Sequence, residues 1–556
     1  MKRNLHWIPS SRLWTVLFLG FFLCHGSWVV AQEELPGVFG EVIEVRVVNL
    51  EAVVTDRDGI RISGLQPEDF ELEVDGEVTA IEFFSEVLGG TAVEAKSAGA
   101  VTSYPNLSAG EPVGTSYLLF IDEYFTLARD RNAVLDALIE ELALVGPEDR
   151  MAVVAYTGHR LEMLTSWSTS VSELARVLKE ATRRSTDGMR RITDLRSYRS
   201  NRADFAGDRF VSDQSSTDRL DIDEERYAAE VASQVSRVVD AAAATLRGFA
   251  NPPGRKVMLL LSGGWPFHPA EFAIGSRARF ISSSGIDGGE ELFRPLSDTA
   301  NRLGYTLYPV DGPGLSTEVD NADFVRGQGQ AVGGFEDTAF IREQNFHDSL
   351  GYLAQATGGR VLLNSARLDS LSKAAEDTRS FYWLGFSPKW SGDDETHNIS
   401  IRVRGRKWKV RSRASFQDLS RQSQITHMVE SSLLFGNAPS SRPLEIEVGK
   451  GKRAGIGKVE VSLNVRFPAG EIVFLPQENG HVAQLELRVV VINQTGEHSE
   501  IPVIPLQLVL PQPPKEDLIL GYSTKLKLRK AKHDLVVSVY DPSSSAMLSA
   551  RKTIHP

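Results

Sequence analysis

Four short segments place oxygen-bearing side chains directly after apolar runs. They are Asp122-Glu123-Tyr124-Phe125-Thr126, Tyr156-Thr157-Gly158-His159, Ser262-Gly263-Gly264-Trp265 and Asp311-Gly312. With a bound metal, the carboxylates of Asp122, Glu123 and Asp311 would form a cluster able to activate water for hydrolysis. Without one, the same loops would be a contact surface for another protein, with Trp265 and Phe267 as apolar anchors, unless these pack in the core under an insertion, and with Glu123, Tyr124 and Asp311 as polar contacts. Familiar catalytic patterns are missing: the chain has no His-Glu-x-x-His, no Gly-x-Ser-x-Gly and no Gly-x-Gly-x-x-Gly opening a helix. The Lys/Gly stretch at 449–460 has the wrong spacing for a phosphate loop and lies between strand-like runs. Histidines occur singly; His159 and His268 fall on the same set of loops. These features favour a non-catalytic reading.

The runs before those segments are continuous: Tyr117–Ile121, Met151–Ala155, Val257–Leu261 and Tyr305–Val310. Strands buried on both faces have this composition, and they belong to parallel sheets covered by helices. Between them, Val134, Leu135, Leu138, Ile139 and Leu142 follow the spacing of one helix face, and Ser170 with Glu173 forms a capping box. Ligands of open α/β sheets bind outside the carboxyl ends of such strands, which is where the four segments fall. The alternation predicts a doubly wound α/β domain over 115–416. It carries polar insertions at about 182–222 and 315–342, read as solvated loops.

Elsewhere the period is two. Residues 38–90 alternate and contain Asp58-Gly59 and Asp75-Gly76 turn signals, which predicts a small β domain. A Gly/Ala/Ser/Pro-rich linker follows at 91–114. After a polar stretch at 417–441, residues 442–556 alternate again; Val459, Val461, Leu463, Val465 and Phe467 are the clearest run. Six or seven short strands there predict an immunoglobulin-like β-sandwich.

The chain of 556 residues is too long for one core. Lys2, Arg3 and Arg12 precede an apolar stretch from Leu13 to Cys24, and Ala31 ends a segment suited to cleavage, so 1–31 reads as a signal peptide. Cys24 is the only cysteine, so the exported chain would have no disulfide, thiolate nucleophile or Cys-bound metal. No integral membrane segment is expected after residue 31, and the product is expected in the periplasm or outside the cell. A net charge of −12 argues against nucleic acid, which needs clustered Lys and Arg, and leaves protein partners or cations.

Residues 40–415 resemble the von Willebrand factor A fold, in particular the VWFA-related proteins of acidobacterial type. The likeness is carried in order by VVNLEAVVTDRDG, YLLFIDEYFT, GPEDRMAVVAYT, GRKVMLLLSGG, LGYTLYPVDGPGL, LGYLAQATGGRVL and the closing FYWLGFSP…IRVRGRKWKVRSRASF. That family's signature is a metal-ion-dependent adhesion site, Asp-x-Ser-x-Ser after the first strand with a Thr and an Asp on two further loops. The resemblance therefore implies Mg²⁺ held by Asp122, Thr126 and Thr157. Tyr124 stands where the first Ser belongs and Gly263 where many relatives have the Asp, so the site reads as degenerate. Three states stay open: a surviving cation site, Asp122 as a strand end bonded to backbone amides, or a substitute site recruiting Glu123 or Asp311. The fold implied is a central von Willebrand A or Rossmann-like domain flanked by the two β modules. The function implied is an adhesion-type protein-interaction module, against a metal-assisted hydrolase or a purely structural envelope protein.

Overall fold

The structure, a computed structural model, describes residues 47–93, 108–194, 197, 214–250, 252–274, 288–312, 335–436, 438–440, 442, 444–477, 480–493, 502–515 and 517–556. The proposed signal peptide, most of the 91–114 linker and much of both insertions lie outside them. The described residues fall into two compact units, one within Val45–Ser420 and one within Arg421–Pro556.

The first unit opens with strands β1 (Val48–Thr55), β2 (Phe70–Val74), β3 (Glu77–Thr79), β4 (Phe83–Leu88) and β5 (Thr91–Val93). Next come β6 (Thr115–Asp122), β7 (Arg150–Tyr156), β8 (Leu161–Ser168), β9 (Arg255–Ser262) and β10 (Tyr305–Asp311). It closes with β11 (Phe381–Phe386), β12 (Thr396–Val403), β13 (Lys409–Arg411) and β14 (Ser415–Gln417). The middle group forms one sheet in the order β10-β9-β6-β7-β8. Its first four strands are parallel and β8 is antiparallel to β7. Every residue of β6 and β10 is buried, which is why the middle of each is a continuous apolar run. On one face, Tyr117, Leu119 and Ile121 share a core with Leu135 and Leu138 of helix Ala128–Glu141 and Leu174 and Leu178 of helix Val171–Ala181. Ser170 starts the latter helix by accepting the Glu173 amide at 3.3 Å.

The first and last groups of strands interleave. One antiparallel sheet has the order β13-β1-β11-β4-β5 and another β14-β12-β2-β3. Leu50, Phe70, Leu72, Tyr382, Leu384 and Ile401 meet in their common core. Residues 48–93 and 381–417 thus make one β module, and the segment carrying the parallel strands is inserted between its halves.

This corrects the expected architecture of a central doubly wound, von Willebrand A or Rossmann-like α/β domain with a separate N-terminal β domain. Strand exceeds helix, 40% against 31%, and four of the five sheets are antiparallel throughout. The parallel strands are one sheet inside a larger, mainly antiparallel unit. The strands at 381–417, assigned above to the α/β domain, complete the sheets begun at 48–93. Periodicity reports which face of a strand is buried, not which distant strand lies beside it.

In the second unit, β15 (Glu445–Val448) and β16 (Lys452–Gly455) pair with successive parts of β17 (Lys458–Pro468). A second sheet contains β18 (Leu475–Gln477), β19 (Gly480–Asn493) and β20 (Val503–Leu510). Strand β21 (Ile519–Arg529) returns to β17, while β22 (His533–Asp541) and β23 (Ala546–Ile554) extend the second sheet. The alternating inner residues of β17, β19, β21 and β22 form one core. Helix Arg421–Leu434 packs on β19 through the fully buried Arg488. That guanidinium donates to Thr426 Oγ1 at 3.1 Å, the Gln422 carbonyl at 3.2 Å and Glu486 Oε2 at 2.7 Å.

Candidate functional site

Because β6, β7, β9 and β10 run parallel, their carboxyl ends bring the four oxygen-bearing segments to one edge. Asp122 pairs in register with Tyr156, and Asp311 with Ser262. Asp122 is fully buried. Its Oδ1 accepts the amides of Tyr124 at 3.0 Å and Phe125 at 3.1 Å, which folds the following loop back over the strand end. Its Oδ2 accepts Ser262 Oγ at 3.1 Å and the Trp265 indole N–H at 2.7 Å. A carboxylate offers about four lone-pair sites, so all of them are occupied. Burial raises the Asp122 pKa above the usual carboxylate range, opposed by these four donors.

The loops touch through backbone. A Cβ at Gly263 would collide with the Phe125 carbonyl and Thr126 Cα, and one at Gly312 with the Ser262 carbonyl. An aspartate is therefore excluded at 263 by space as well as by sequence. Thr126 is fully buried, and its hydroxyl has no hydrogen-bond partner among the described residues. Thr157 Oγ1 turns to the carbonyl of Arg160 at 3.3 Å. The Tyr124 ring lies against Gly158, where a Cβ would strike it, and Arg191 sits 4.6 Å from that ring's centroid and 3.8 Å from that of Phe125. A hard dication needs free oxygen ligands in octahedral array. With Asp122 saturated and Thr157 bonded within its own loop, the residues as placed do not fit Mg²⁺.

Glu123 faces a different set of groups from Asp122. Arg184 donates to both its oxygens, Nε to Oε1 at 2.6 Å and Nη2 to Oε2 at 3.0 Å. The fully buried Arg131 donates to Oε1 at 3.4 Å and to the carbonyls of Thr182 and Arg184. Arg184 reaches on to Glu162 Oε2 at 2.7 Å, and Arg160 holds Glu162 Oε1. Burial raises the Glu123 pKa against the pull of Arg184 and Arg131. For Glu162 burial acts upward too, but Arg184 and Arg160 outweigh it and its pKa is lowered. Beside this lattice opens a cleft of about 290 Å³ lined by Glu123, Thr157, Glu162, Arg184, Ser185 and Asp187.

The candidate residues thus separate into two groups. Asp122 and Trp265 are in direct contact, while Glu123 and Thr157 share the cleft. Asp122, Glu123 and Asp311 do not gather within metal-bridging reach among the described residues, so the carboxylate cluster imagined for hydrolysis is not assembled. Asp311 is buried at the same edge. Trp265 is not an exposed anchor: it is fully buried and stacks on Phe293 with centroids 6.3 Å apart. Phe267 is half-buried on the same ring at 5.5 Å. An indole N–H with a carboxylate to bond can be buried, which is the core-packing alternative that the sequence left open. The sequence reading missed Arg131, Glu162, Arg184 and Arg191. One signal was available: a carboxylate directly after a doubly buried strand, as Glu123 is, needs a cationic partner, and the basic run at 183–191 supplies it. That part of the first insertion is docked on the site, not a solvated loop.

Comparison with known proteins assigns no family: no family model and no curated protein matches the chain. Likeness to solved structures is faint. The PilB minor pilin of Streptococcus sanguinis aligns at 9% identity over 61% of this chain and 88% of its own, with a TM-score of 0.26. The SpaC pilus adhesin of Lactobacillus rhamnosus GG aligns at 8% identity over 89% and 58%, TM-score 0.24. A β-glucuronidase of Bacteroides uniformis aligns at 10% identity over 20% of this chain, TM-score 0.15, and the chain spans only 13% of that enzyme. Superpositions this poor transfer neither fold nor activity. No described helix is long and apolar enough to cross a membrane.

Proposed function

We propose that this chain is an exported, non-catalytic protein-interaction module of adhesion type, and that its contact surface is the cleft at the carboxyl edge of β6 and β7. The observation that carries this reading is how the acids there are used. Asp122 ties two loops together through four hydrogen bonds, and Glu123 is locked by two guanidinium groups. Acids so engaged hold a surface in shape, their oxygens already taken up by donors of the same fold. Thr157, Ser185, Asp187 and the Glu162–Arg184 pair border a cleft, and a pre-organised polar surface of this kind suits a protein partner. Export rests on the composition of residues 2–31, and exclusion of nucleic acid on the net charge of −12.

Photo-cross-linking from the full chain tests this. A photoreactive residue placed at position 157 or 185 is expected to give the same discrete protein adduct, and one placed at the exposed Asp58 turn is not. Adducts indistinguishable between the cleft and position 58 would overturn the proposal. So would turnover of an ester, phosphate, glycoside or peptide substrate that Glu123→Gln abolishes without unfolding the chain.

A further inference from the structure

We propose a second, unrelated site: a divalent transition-metal site of the Zn²⁺ class at one end of the sheet β14-β12-β2-β3, with Asp393, His397 and Asp418 as ligands. One ligand atom from each of these side chains lies within 4.8 Å of the other two. Ligands about 2.0–2.2 Å from Zn²⁺ stand about 3.4 Å apart in a tetrahedron, so closure by at most about 1.4 Å completes the site.

The histidine is prepared for this role by its neighbour. His397 Nδ1 is 2.8 Å from Asp75 Oδ2. Asp75 sits in the turn between β2 and β3, and its Oδ1 accepts the amide of Asn398 at 2.8 Å. A carboxylate only accepts, so Nδ1 carries the proton. Nε2, on the far side of the ring from Asp75, stands 3.9 Å from Asp393 Oδ1. That separation is too long for a hydrogen bond and leaves room for an ion between the two atoms. Carboxylate-held imidazole is the outer-shell arrangement of metal-binding histidines. The ring is further fixed by stacking on Phe416, centroids 4.9 Å apart at 21°, its cross-strand partner on β14.

Both acids are oriented as well. Asp418 is only 2% exposed. Its Oδ2 accepts the amides of Ser391 at 2.6 Å and Gly392 at 2.9 Å and the Ser391 hydroxyl at 3.2 Å, which fixes the plane of the carboxylate. Backbone bonds between Asp394 and Asp418 and between Asp418 and Glu395 clamp the 391–395 loop to the end of β14. Asp393 Oδ1 accepts the Glu395 amide at 3.0 Å. One imidazole and two carboxylates neutralise a dication. The nitrogen selects a borderline metal over Mg²⁺ or Ca²⁺, which prefer all-oxygen sites. Three protein ligands leave a position for water or a partner's side chain.

The experiment is calorimetric titration of the metal-stripped full chain with Zn²⁺, Mg²⁺ and Ca²⁺, with Co²⁺ absorption as the coordination readout. One equivalent of Zn²⁺ is expected to bind, with no saturable heat from the other two. His397→Ala and Asp393→Asn should each weaken Zn²⁺ at least 100-fold, and Asp75→Asn 10- to 100-fold. Asp393 lies on an exposed loop, so its variant keeps the test valid if Asp418→Asn fails to fold. Absence of saturable Zn²⁺ binding, or affinity unchanged in both His397→Ala and Asp393→Asn, would overturn the proposal. Nε2 still bearing a proton by NMR in excess Zn²⁺ would overturn it too, since that nitrogen would then not be a ligand.

Discussion

If Asp122 is held by hydrogen bonds alone, Asp122→Asn and Trp265→Phe must be strongly coupled. Asparagine keeps one acceptor oxygen, which can still take the Tyr124 and Phe125 amides. Its NH₂ then faces the Ser262 hydroxyl, which can accept, and the Trp265 N–H, which cannot. The indole donor, 2.7 Å from the oxygen it loses, becomes a buried, unpaired group against a second donor. A hydrogen bond to a charged group is worth about 1.5–3 kcal/mol, and a stranded buried donor costs about 1–3 kcal/mol. Neutralising a fully buried carboxylate returns part of its desolvation cost, so we expect about 2–3 kcal/mol of destabilisation for Asp122→Asn. Trp265→Phe loses the same bond and some packing on Phe293, for about 2–4 kcal/mol. In the double variant neither donor clashes, and the total should fall short of the sum by about 1–2 kcal/mol. Urea unfolding followed by far-UV circular dichroism measures all four proteins, with the slopes checked for constancy. Additivity within about 0.5 kcal/mol would refute the reasoning. A Mg²⁺-dependent rise in the wild-type midpoint that Asp122→Asn removes would refute it as well, because Asp122 would then hold a cation.

Two other outcomes follow from buried charge. Asp377, nearly buried, accepts Arg411 at 2.6 Å, Arg61 at 3.0 Å and the Tyr308 hydroxyl at 2.5 Å. Burial alone would raise its pKa, but Arg411 and its other partners more than offset this and it is lowered. An acid whose folded pKa is depressed contributes stability that is complete above its unfolded pKa, about 3.9, and is lost as pH falls through the folded value. The stability difference between wild type and Asp377→Asn should therefore be constant from neutrality down to about pH 5 and shrink below about pH 4; a difference independent of pH throughout would sink the assignment. In the second unit, Arg488→Ala should cost about 2–3 kcal/mol, because Glu486 is partly exposed and can rehydrate. Amide exchange in helix Arg421–Leu434 should rise more than in β17, and equal protection in both would show that Arg488 does not anchor the helix.

The parts of this architecture legible in the sequence are those whose burial is local. β6, β9 and β10 carry unbroken apolar runs in their middles because both faces are covered, and β17 alternates because one face is. Long-range partners leave no such mark. Ala52 lies opposite Tyr382 and Ile401 opposite Leu72, and nothing in either stretch names the other, so the β module was split between two domains. At the candidate site, the strand ends placed Asp122, Thr157, Ser262 and Asp311 at one edge. What those side chains bond to was hidden. The sequence left Trp265 between a loop anchor and core packing under an insertion, and Arg184 read as part of a solvated insertion. Asp75, which orients His397, is remote in sequence and carries only a turn signal.

The interleaving of residues 48–93 with 381–417 also sets a clock on biosynthesis. β1 has β11 and β13 as its two neighbours, so neither edge is covered until the ribosome has made about 330 further residues, roughly 15–65 s at 5–20 residues per second. Through that interval a hydrophobic strand with two open edges is a template for wrong pairing. Delaying compaction until the whole chain has been delivered would remove the hazard, and threading through a secretion channel in the unfolded state does this. Once the whole chain is delivered, forming the parallel sheet within the inserted segment shortens the loop that β1 and β11 must close.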